Sequence, residues 1–148
     1  MKANGYNTGI ASEYYIASLL FRQGYEAYIS SGNMKSVDIR VIKNSKAISI
    51  DVKAVQGYSS LIVNNVTEQP DHFIVFVIYN DKFDDVTTIP EVFVVPSDKI
   101  KDLAKVYGDQ KRIFKSKLTE YKNNWQCLFE ASNIIHNEQS INQQRQGV

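Results

Sequence analysis

The chain has little of what several classes of protein require. Its 148 residues include one cysteine, three prolines and two histidines. A single cysteine excludes an internal disulfide framework and a cysteine-rich zinc site, and two isolated histidines leave no pair at the spacing of a zinc or HNH centre. The sequence also lacks a glycine-rich phosphate loop and a G-x-S-x-G pattern, which argues against nucleotide-binding and serine-hydrolase functions.

Long hydrophobic runs are also missing. The longest, FIVFVIY at Phe73–Tyr79, has seven residues, which is too short to span a membrane, and the N-terminus lacks the hydrophobic region of a signal peptide. With 43% hydrophobic residues, a chain of this length can bury one core. We therefore expect a cytoplasmic protein with no membrane association, one domain over residues 1–136, and a polar, disordered tail over residues 137–148.

Charge is distributed unevenly, although the formal net charge is only +1. Residues 64–98 hold seven acids and one base, whereas residues 99–122 hold eight bases and three acids. A charged run is more often a solvated face than a binding site, but clustered bases also fit a surface that binds phosphates. The candidates for phosphate contacts are Lys111, Arg112, Lys115 and Lys117.

The most informative stretch is SVDIRVIKNSKAISIDVKAVQ, at Ser36–Gln56. Two runs that alternate between aliphatic and polar residues flank a polar turn, which predicts a β-hairpin with one buried face. The polar face of the second run carries Asp51 and Lys53, and pairing of the two runs brings Asp38 of the first run towards Asp51. Two carboxylates this close repel each other unless a cation lies between them, so stability alone does not favour the arrangement.

Helical spacing of apolar residues predicts a helix over Thr8–Gln23, which Gly24 ends. Its apolar face is predicted to consist of Ile10, Tyr14, Ala17, Leu20 and Phe21. Glu13 lies within this apolar arc, and a glutamate that points inward usually has a base or a metal as its partner. The alternative is a residue at the border of the helix that reaches water.

The remaining elements are predicted from local pattern. Strands are expected at residues 25–30, 72–79 and 92–95, the second of them buried on both faces of a sheet. Ser97 is the predicted N-cap of an amphipathic helix that ends at Gly108. Residues 109–122 fit either a helix or a loop, and Trp125 and Phe129 are expected to pack against the core.

Two side chains near these elements have ordinary interpretations. Tyr58 follows the central hairpin and could stack on a base, but an aromatic residue at this point more often packs on the sheet. His72 directly precedes the buried strand and is expected to be a structural or surface residue.

The order of these features resembles the PD-(D/E)XK nuclease superfamily, which includes restriction enzymes and archaeal Holliday-junction resolvases. The residues that carry the resemblance are a helix with an inward Glu13, then GYEAYIS, VDIRV and IDVKAVQ, and then a buried strand. It covers most of residues 8–100. Val37 occupies the place of the motif's proline, which is a departure, whereas an aspartate at position 51 is within the pattern. The resemblance implies a restriction endonuclease-like, three-layer α/β domain with a central four- to five-stranded mixed sheet flanked by helices.

The resemblance also implies an active site that hydrolyses phosphodiester bonds with Mg²⁺, for which Mn²⁺ could substitute, and with no organic cofactor. By motif position, Asp38 and Asp51 match the two acids, Lys53 the lysine and Glu13 the helix acid, while Gln56 matches a glutamine found in some branches. Mg²⁺ prefers oxygen ligands and retains several waters, so the expected metal ligands are Asp38, Asp51, the Val52 carbonyl and Glu13.

The expected function is therefore a metal-dependent DNA endonuclease. Because a domain this small has to reach both strands of a duplex, a homodimer is expected. Two alternatives remain open at this point. One is a nuclease-like fold that binds DNA or a protein without cutting, and the other is an accessory subunit whose basic segment docks on a larger complex.

Overall fold

A five-stranded mixed sheet forms the centre of the fold. The computed structural model describes residues 5–30 and 37–131. In spatial order the sheet contains β1 (Glu26–Ile29), β2 (Ile39–Lys43), β3 (Lys46–Val55), β5 (His72–Ile78) and β6 (Glu91–Pro96), and a second, three-stranded sheet contains β4 (Ser60–Ile62), β8 (Gln110–Phe114) and β7 (Lys105–Tyr107). Only β3 and β5 pair in parallel among these described strands. The predicted α/β class with a mixed central sheet is confirmed.

The predicted hairpin is present at the centre of this sheet. β2 and β3 are antiparallel, with Lys43 opposite Lys46. Asn44 and Ser45 join them with φ of 53° and 63°. Two successive residues at positive φ form the type of turn whose twist matches that of the paired strands, which fixes the register of the hairpin.

Strand β5 is buried along its whole length, as predicted. All seven of its residues are buried. Phe73, Val75 and Val77 face the core on one side of the sheet, whereas Ile74 and Phe76 face the core on the other side. Layers on both faces of the sheet are therefore required, in agreement with the three-layer prediction.

Helix α1 (Gly5–Arg22) covers one face of the sheet, but it begins three residues before the predicted start and buries a different side. The residues it buries are Thr8, Ser12, Ile16, Ala17 and Leu20. The predicted apolar face was therefore wrong at Ile10, Tyr14 and Phe21, which are exposed. The prediction overlooked small polar residues such as Ser12 because their hydrophobicity does not indicate burial. Ser12 can be buried since its hydroxyl is satisfied: Oγ donates to the backbone Thr8 O at 2.6 Å and shares a hydrogen bond of 2.8 Å with the Tyr79 hydroxyl.

The other face is covered by the three-stranded sheet and the short helix α2 (Ile100–Leu103). The predicted helix from Ser97 to Gly108 is therefore confirmed only in its first half, since a 3-10 turn at Ser97–Lys99 and α2 are helical and the chain is extended from Lys105 to Tyr107. Ser97 is not a cap, because its Oγ donates to Gln69 O and accepts from Gln69 N–H, at 2.9 and 3.1 Å. The chain leaves the helix after α2 because β7 pairs with β8, whose buried Ile113 lies opposite Leu61 of β4.

The C-terminal part of the described chain packs beside α1. Residues 126–131 are helical, Leu128 is fully buried, and Trp125 packs against the core as predicted. Phe129 does not, because it is 43% exposed and lies beside the Lys43 ammonium. The predicted tail lies outside the described residues. Within those residues, no helix is both long and apolar enough to cross a membrane.

Candidate active site

Asp38 lies where β2 begins and points its carboxylate along the neighbouring strand. Its backbone N–H donates to Ile50 O at 3.1 Å, which joins the residue before β2 to β3. The carboxylate Oδ2 accepts a hydrogen bond of 2.7 Å from the Val52 N–H. The hairpin therefore holds Asp38 against β3 through both its backbone and its side chain.

The electrostatics of Asp38 show that the two acids converge. Burial raises its pKa above the ordinary value, and the charge of Asp51 raises it further, whereas the Val52 hydrogen bond and the nearby Lys53 ammonium act in the opposite direction without cancelling the increase. A cation bound beside both carboxyls would offset the repulsion between their negative charges and favour the ionised form of Asp38.

Glu13 approaches the same point from α1. The residue is half-buried, and its pKa is raised first by burial and then by the charge of Asp38. It stands at the border of the buried side of the helix, next to the fully buried Ser12. Glu13 therefore combines both sequence-based interpretations, since it is partly solvated and lies close enough to Asp38 for the two charges to interact.

Lys53 and Gln56 occupy the second half of β3 and the residues that follow it. Lys53 is half-buried and its charge acts on Asp38, so its ammonium belongs to the same pocket as the acids. Gln56 lies further along, where its side-chain N–H donates to Thr8 Oγ1 at 2.7 Å. This bond ties the end of the central strand to the first turns of α1 and so helps to set the position of Glu13.

Sequence reasoning missed the contribution of His72. Of the two expected positions, structural or surface, the structure has the structural one, because His72 is only 3% exposed. Its Nδ1 lies 2.6 Å from Ser49 Oγ, and its Nε2 lies 3.4 Å from Asp51 Oδ2. The register of β3 and β5, which pairs Ser49 with His72, creates this contact. No local pattern signals a parallel pairing across 23 residues.

The four basic candidates belong to one segment of the chain but differ in their surroundings. Lys111 and Lys117 are exposed. Arg112 donates from Nη1 to Ser60 Oγ at 2.9 Å, and Lys115 forms an ion pair with Glu91. Strand β8 covers the face of the sheet that carries Ile74 and Phe76, which is also the face to which alternation directs Asp51 and Lys53.

Tyr58 also differs from its expected position. It is 61% exposed, so the expectation that it packs on the sheet was wrong. It follows β3 directly, where an exposed aromatic ring is accessible to a ligand.

The donor set fits a hard divalent cation. Within residues 5–30 and 37–131, no three His, Cys, Asp or Glu side chains are placed to hold a metal by themselves. Mg²⁺ does not need three, since it usually binds through one or two carboxylates and keeps waters and substrate oxygens as its other ligands. The Val52 carbonyl is also well directed, because a strand residue points its N–H and C=O to the same side, and the N–H meets Asp38.

A mixed sheet whose central hairpin carries two acids and a lysine, with α1 on one face, is the α/β fold of the restriction endonuclease-like nucleases. Among solved structures, the chain is similar to the bacterial homing endonuclease I-Ssp6803I, with a TM-score of 0.65, 13% identity, and coverage of 91% of this chain and 99% of that one. It is also similar to Hjc, a Holliday junction resolvase of Archaeoglobus fulgidus, with a TM-score of 0.51, 14% identity, and coverage of 75% and 87%. No family model and no curated protein matches the sequence. The fold that the resemblance implied is confirmed, because both solved structures share it with this chain.

Proposed function

We propose that the chain is a metal-dependent DNA endonuclease. The observation that carries the proposal is the convergence of Asp38, Asp51 and Lys53 on one pocket, in which the pKa of Asp38 is raised by burial and by the second acid. The neighbours described as a homing endonuclease and a Holliday junction resolvase share the fold on which this pocket is built. Cleavage of a phosphodiester bond is the chemistry that such a pocket serves.

The metal ligands in this proposal are Asp38, Asp51 and the Val52 carbonyl, with Glu13 binding directly or through a water. A divalent ion bound there supplies a more acidic water and positive charge for the reacting phosphate. Lys53 holds the attacking water or helps to remove its proton, and its ammonium stabilises the negative charge that develops in the transition state. Gln56 is the candidate for orienting the water or a phosphate oxygen.

Contacts with DNA away from the cleaved bond come from the basic segment. Lys111 and Lys117 are exposed and suited to phosphates. Arg112 and Lys115 each have a protein partner, so they contribute to the same positive surface with their side chains already held in place. Tyr58, exposed beside the end of β3, can stack on a base.

The test compares single substitutions in a cleavage assay. Purified protein with Mg²⁺ or Mn²⁺ is incubated with linear, supercoiled, single-stranded and branched DNA. Asp51→Ala and Lys53→Ala should each lower the cleavage rate at least about 100-fold, the usual cost of losing a group that stabilises the transition state. Unchanged cleavage in both variants would show that the activity comes from a contaminant.

Matched controls come from the loop between β5 and β6. Asp84→Ala and Lys82→Ala remove an acid and a base that are exposed there, and both should cleave at the unaltered rate. If the unaltered protein cleaves nothing and calorimetry detects no Mg²⁺ binding, the chain is instead a nuclease-like binding module. Salt-sensitive DNA affinity that survives loss of both acids would identify that module as one for DNA.

We also propose that the protein is a homodimer whose subunits meet through an aromatic patch, defined as Tyr6, Ile10, Tyr14 and Phe21 of α1 with Tyr28 of β1. The three tyrosines and Phe21 are 55–76% exposed. Arg22 is the only charged residue among the exposed positions of α1, all of which the structure describes. The α1 part of the patch carries no charged side chain, and Glu26, which accepts a hydrogen bond from the Tyr28 hydroxyl at 3.2 Å, lies at its β1 edge.

The size and shape of the aromatic patch fit a second copy of this chain. Its side chains expose on the order of 600 Å² in total, which approaches the roughly 800 Å² that each partner contributes to a specific interface. The protruding rings flank a groove of about 490 Å³ between α1 and β1. A surface that has both projections and a groove can pair with itself about a two-fold axis.

Sedimentation velocity tests this interface. Tyr14→Glu should convert the dimer to a monomer, because a two-fold contact buries the new charge twice and leaves it unpaired. Tyr58→Glu is the matched control, since it places the same charge on an exposed tyrosine outside the aromatic patch. A monomeric unaltered protein, or a dimer that tolerates Tyr14→Glu, would contradict the assignment.

A further inference from the structure

Asp51 has a buried partner that the roles proposed above do not use. His72 is 3% exposed, and its imidazole lies between Ser49 and Asp51 on neighbouring strands. Ser49 Oγ is 2.6 Å from Nδ1, and Asp51 Oδ2 is 3.4 Å from Nε2. Each ring nitrogen of His72 is thus directed at one oxygen atom of β3.

The two ring nitrogens of His72 make contacts of different kinds. Nδ1 shares a hydrogen bond with Ser49 Oγ, in which either atom can be the donor, depending on the tautomer. Nε2 lies within ion-pair distance of an oxygen of the Asp51 carboxylate.

The start of β5 is held in place, so His72 is a fixed partner for the Asp51 side chain. Ser49 N–H donates to Asp71 O at 3.0 Å, and the Lys46 ammonium pairs with the Asp71 carboxylate at 3.1 Å. These two bonds hold the residue before His72 against β3. The imidazole therefore cannot follow the Asp51 side chain if that side chain turns away.

We propose that His72 is a positioning residue for the cation site: through its Nε2–H it holds one oxygen of Asp51, so that the other oxygen faces the metal position beside Asp38. The inference rests on the proposed nuclease function, because it gives a role to a metal ligand of that site. Partners that orient a ligating side chain commonly account for 10- to 100-fold in metal affinity. His72 itself touches neither metal nor substrate.

Metal affinity tests the proposal without any cleavage assay. Mn²⁺ binding is measured by calorimetry and by the electron spin resonance signal of the free ion. His72→Leu removes the donor while keeping an apolar side chain of similar size, and it should weaken Mn²⁺ binding about 10-fold or more. His72→Gln can place an N–H near the position of Nε2 and should stay within about threefold of the unaltered protein.

Controls separate this role from a general loss of stability. Ser49→Ala removes the hydrogen bond to Nδ1 that holds the imidazole ring. The Mn²⁺ affinity of this variant should lie between those of His72→Gln and His72→Leu. Glu91→Gln disturbs an ion cluster on β6 that does not involve Asp51, so it should lower the melting temperature and leave Mn²⁺ affinity unchanged. If His72→Leu behaves like Glu91→Gln, the positioning role is wrong.

A second measurement reads the proton directly in metal-free protein. Nitrogen-15 chemical shifts of the imidazole should show His72 protonated at Nε2 and unprotonated at Nδ1, with the signal of His136 removed by His136→Gln. A His72 ring protonated at Nδ1 alone would overturn the proposal. If the unaltered protein binds no Mn²⁺, both the nuclease proposal and the role of His72 are wrong. If the unaltered protein and His72→Leu bind Mn²⁺ equally well, only the role of His72 is wrong.

Discussion

The position of Asp38 lowers the stability of the metal-free folded chain but suits the binding of a cation. Its carboxylate is partly removed from water and stands near Asp51 and Glu13, so the pKa of Asp38 is raised by burial and by the second acid, and that of Glu13 by burial and by Asp38. The charged forms of both groups are therefore disfavoured in the folded chain. The folded chain without metal therefore keeps unfavourable charge in one place, and a cation is the group that offsets it.

Asp38→Asn should make the metal-free protein more stable at pH 7, by about 1 kcal/mol or a few degrees in melting temperature. Asparagine can still accept the Val52 hydrogen bond but carries no charge. A raised folded-state pKa means that Asp38 contributes stability below its unfolded-state pKa and loses that contribution as pH rises through the folded value. Thermal melts at pH 7 and near pH 4 should therefore show the difference shrinking in acid; equal or lower stability at pH 7 would contradict the argument.

At the scale of elements, one acid of β6 links this strand to the residues that follow β8. Glu91 accepts from Asn80 at 3.1 Å and pairs with Lys122 at 3.1 Å and with Lys115. Burial disfavours the charged form, but these hydrogen bonds outweigh burial and lower the pKa of Glu91 to about 2. The cluster joins β6 to the basic segment after β8, so it fixes the position of that segment relative to the central sheet.

Glu91→Gln should lower the free energy of unfolding at pH 7 by roughly 1 to 2 kcal/mol, the usual contribution of hydrogen bonds to a charged group. A depressed folded-state pKa contributes stability above the unfolded-state value, and that contribution is lost as pH falls towards about 2. Urea unfolding should thus show the two proteins differing at pH 7 and converging near pH 2. A difference that is independent of pH would assign the effect to packing.

For the whole molecule, the proposed metal site predicts that metal binding and folding are coupled. The acids lie on α1, on the residue before β2 and on β3, so an ion that binds them favours the folded chain over the unfolded one. Mg²⁺ at about 100 times its dissociation constant should stabilise the protein by about 2.7 kcal/mol. The melting temperature should rise with added Mg²⁺ and return to its starting value with EDTA.

The same titration with Asp38→Asn provides the control. Loss of one carboxylate should remove most of the Mg²⁺-dependent rise, while Asp84→Ala, in the acidic loop after β5, should retain it. An equal rise in Asp38→Asn would place the bound Mg²⁺ somewhere other than the proposed site.

Much of the fold could be predicted because it depends on hydrophobic patterns among residues that are close together in the sequence. Alternation in Ser36–Gln56 determined which side chains of the hairpin point together, since a strand has a period of two whatever packs against it. The unbroken apolar run of β5 likewise required layers on both of its faces. The predicted helix after Ser97 was wrong beyond Leu103 because β7 pairs with β8, and the helical spacing of the segment carries no information about that partner.

Local sequence pattern was enough to predict that Asp38, Asp51 and Lys53 belong to one face of a hairpin, because neighbours along paired strands stay together. Which distant groups meet these three residues depends on how the elements pack. The parallel pairing of β3 and β5 brought His72 to Asp51, and the packing of α1 chose which side of that helix to bury and left Tyr14 and Phe21 exposed. Both depend on contacts between segments far apart in the chain, and local periodicity carries no information about such contacts.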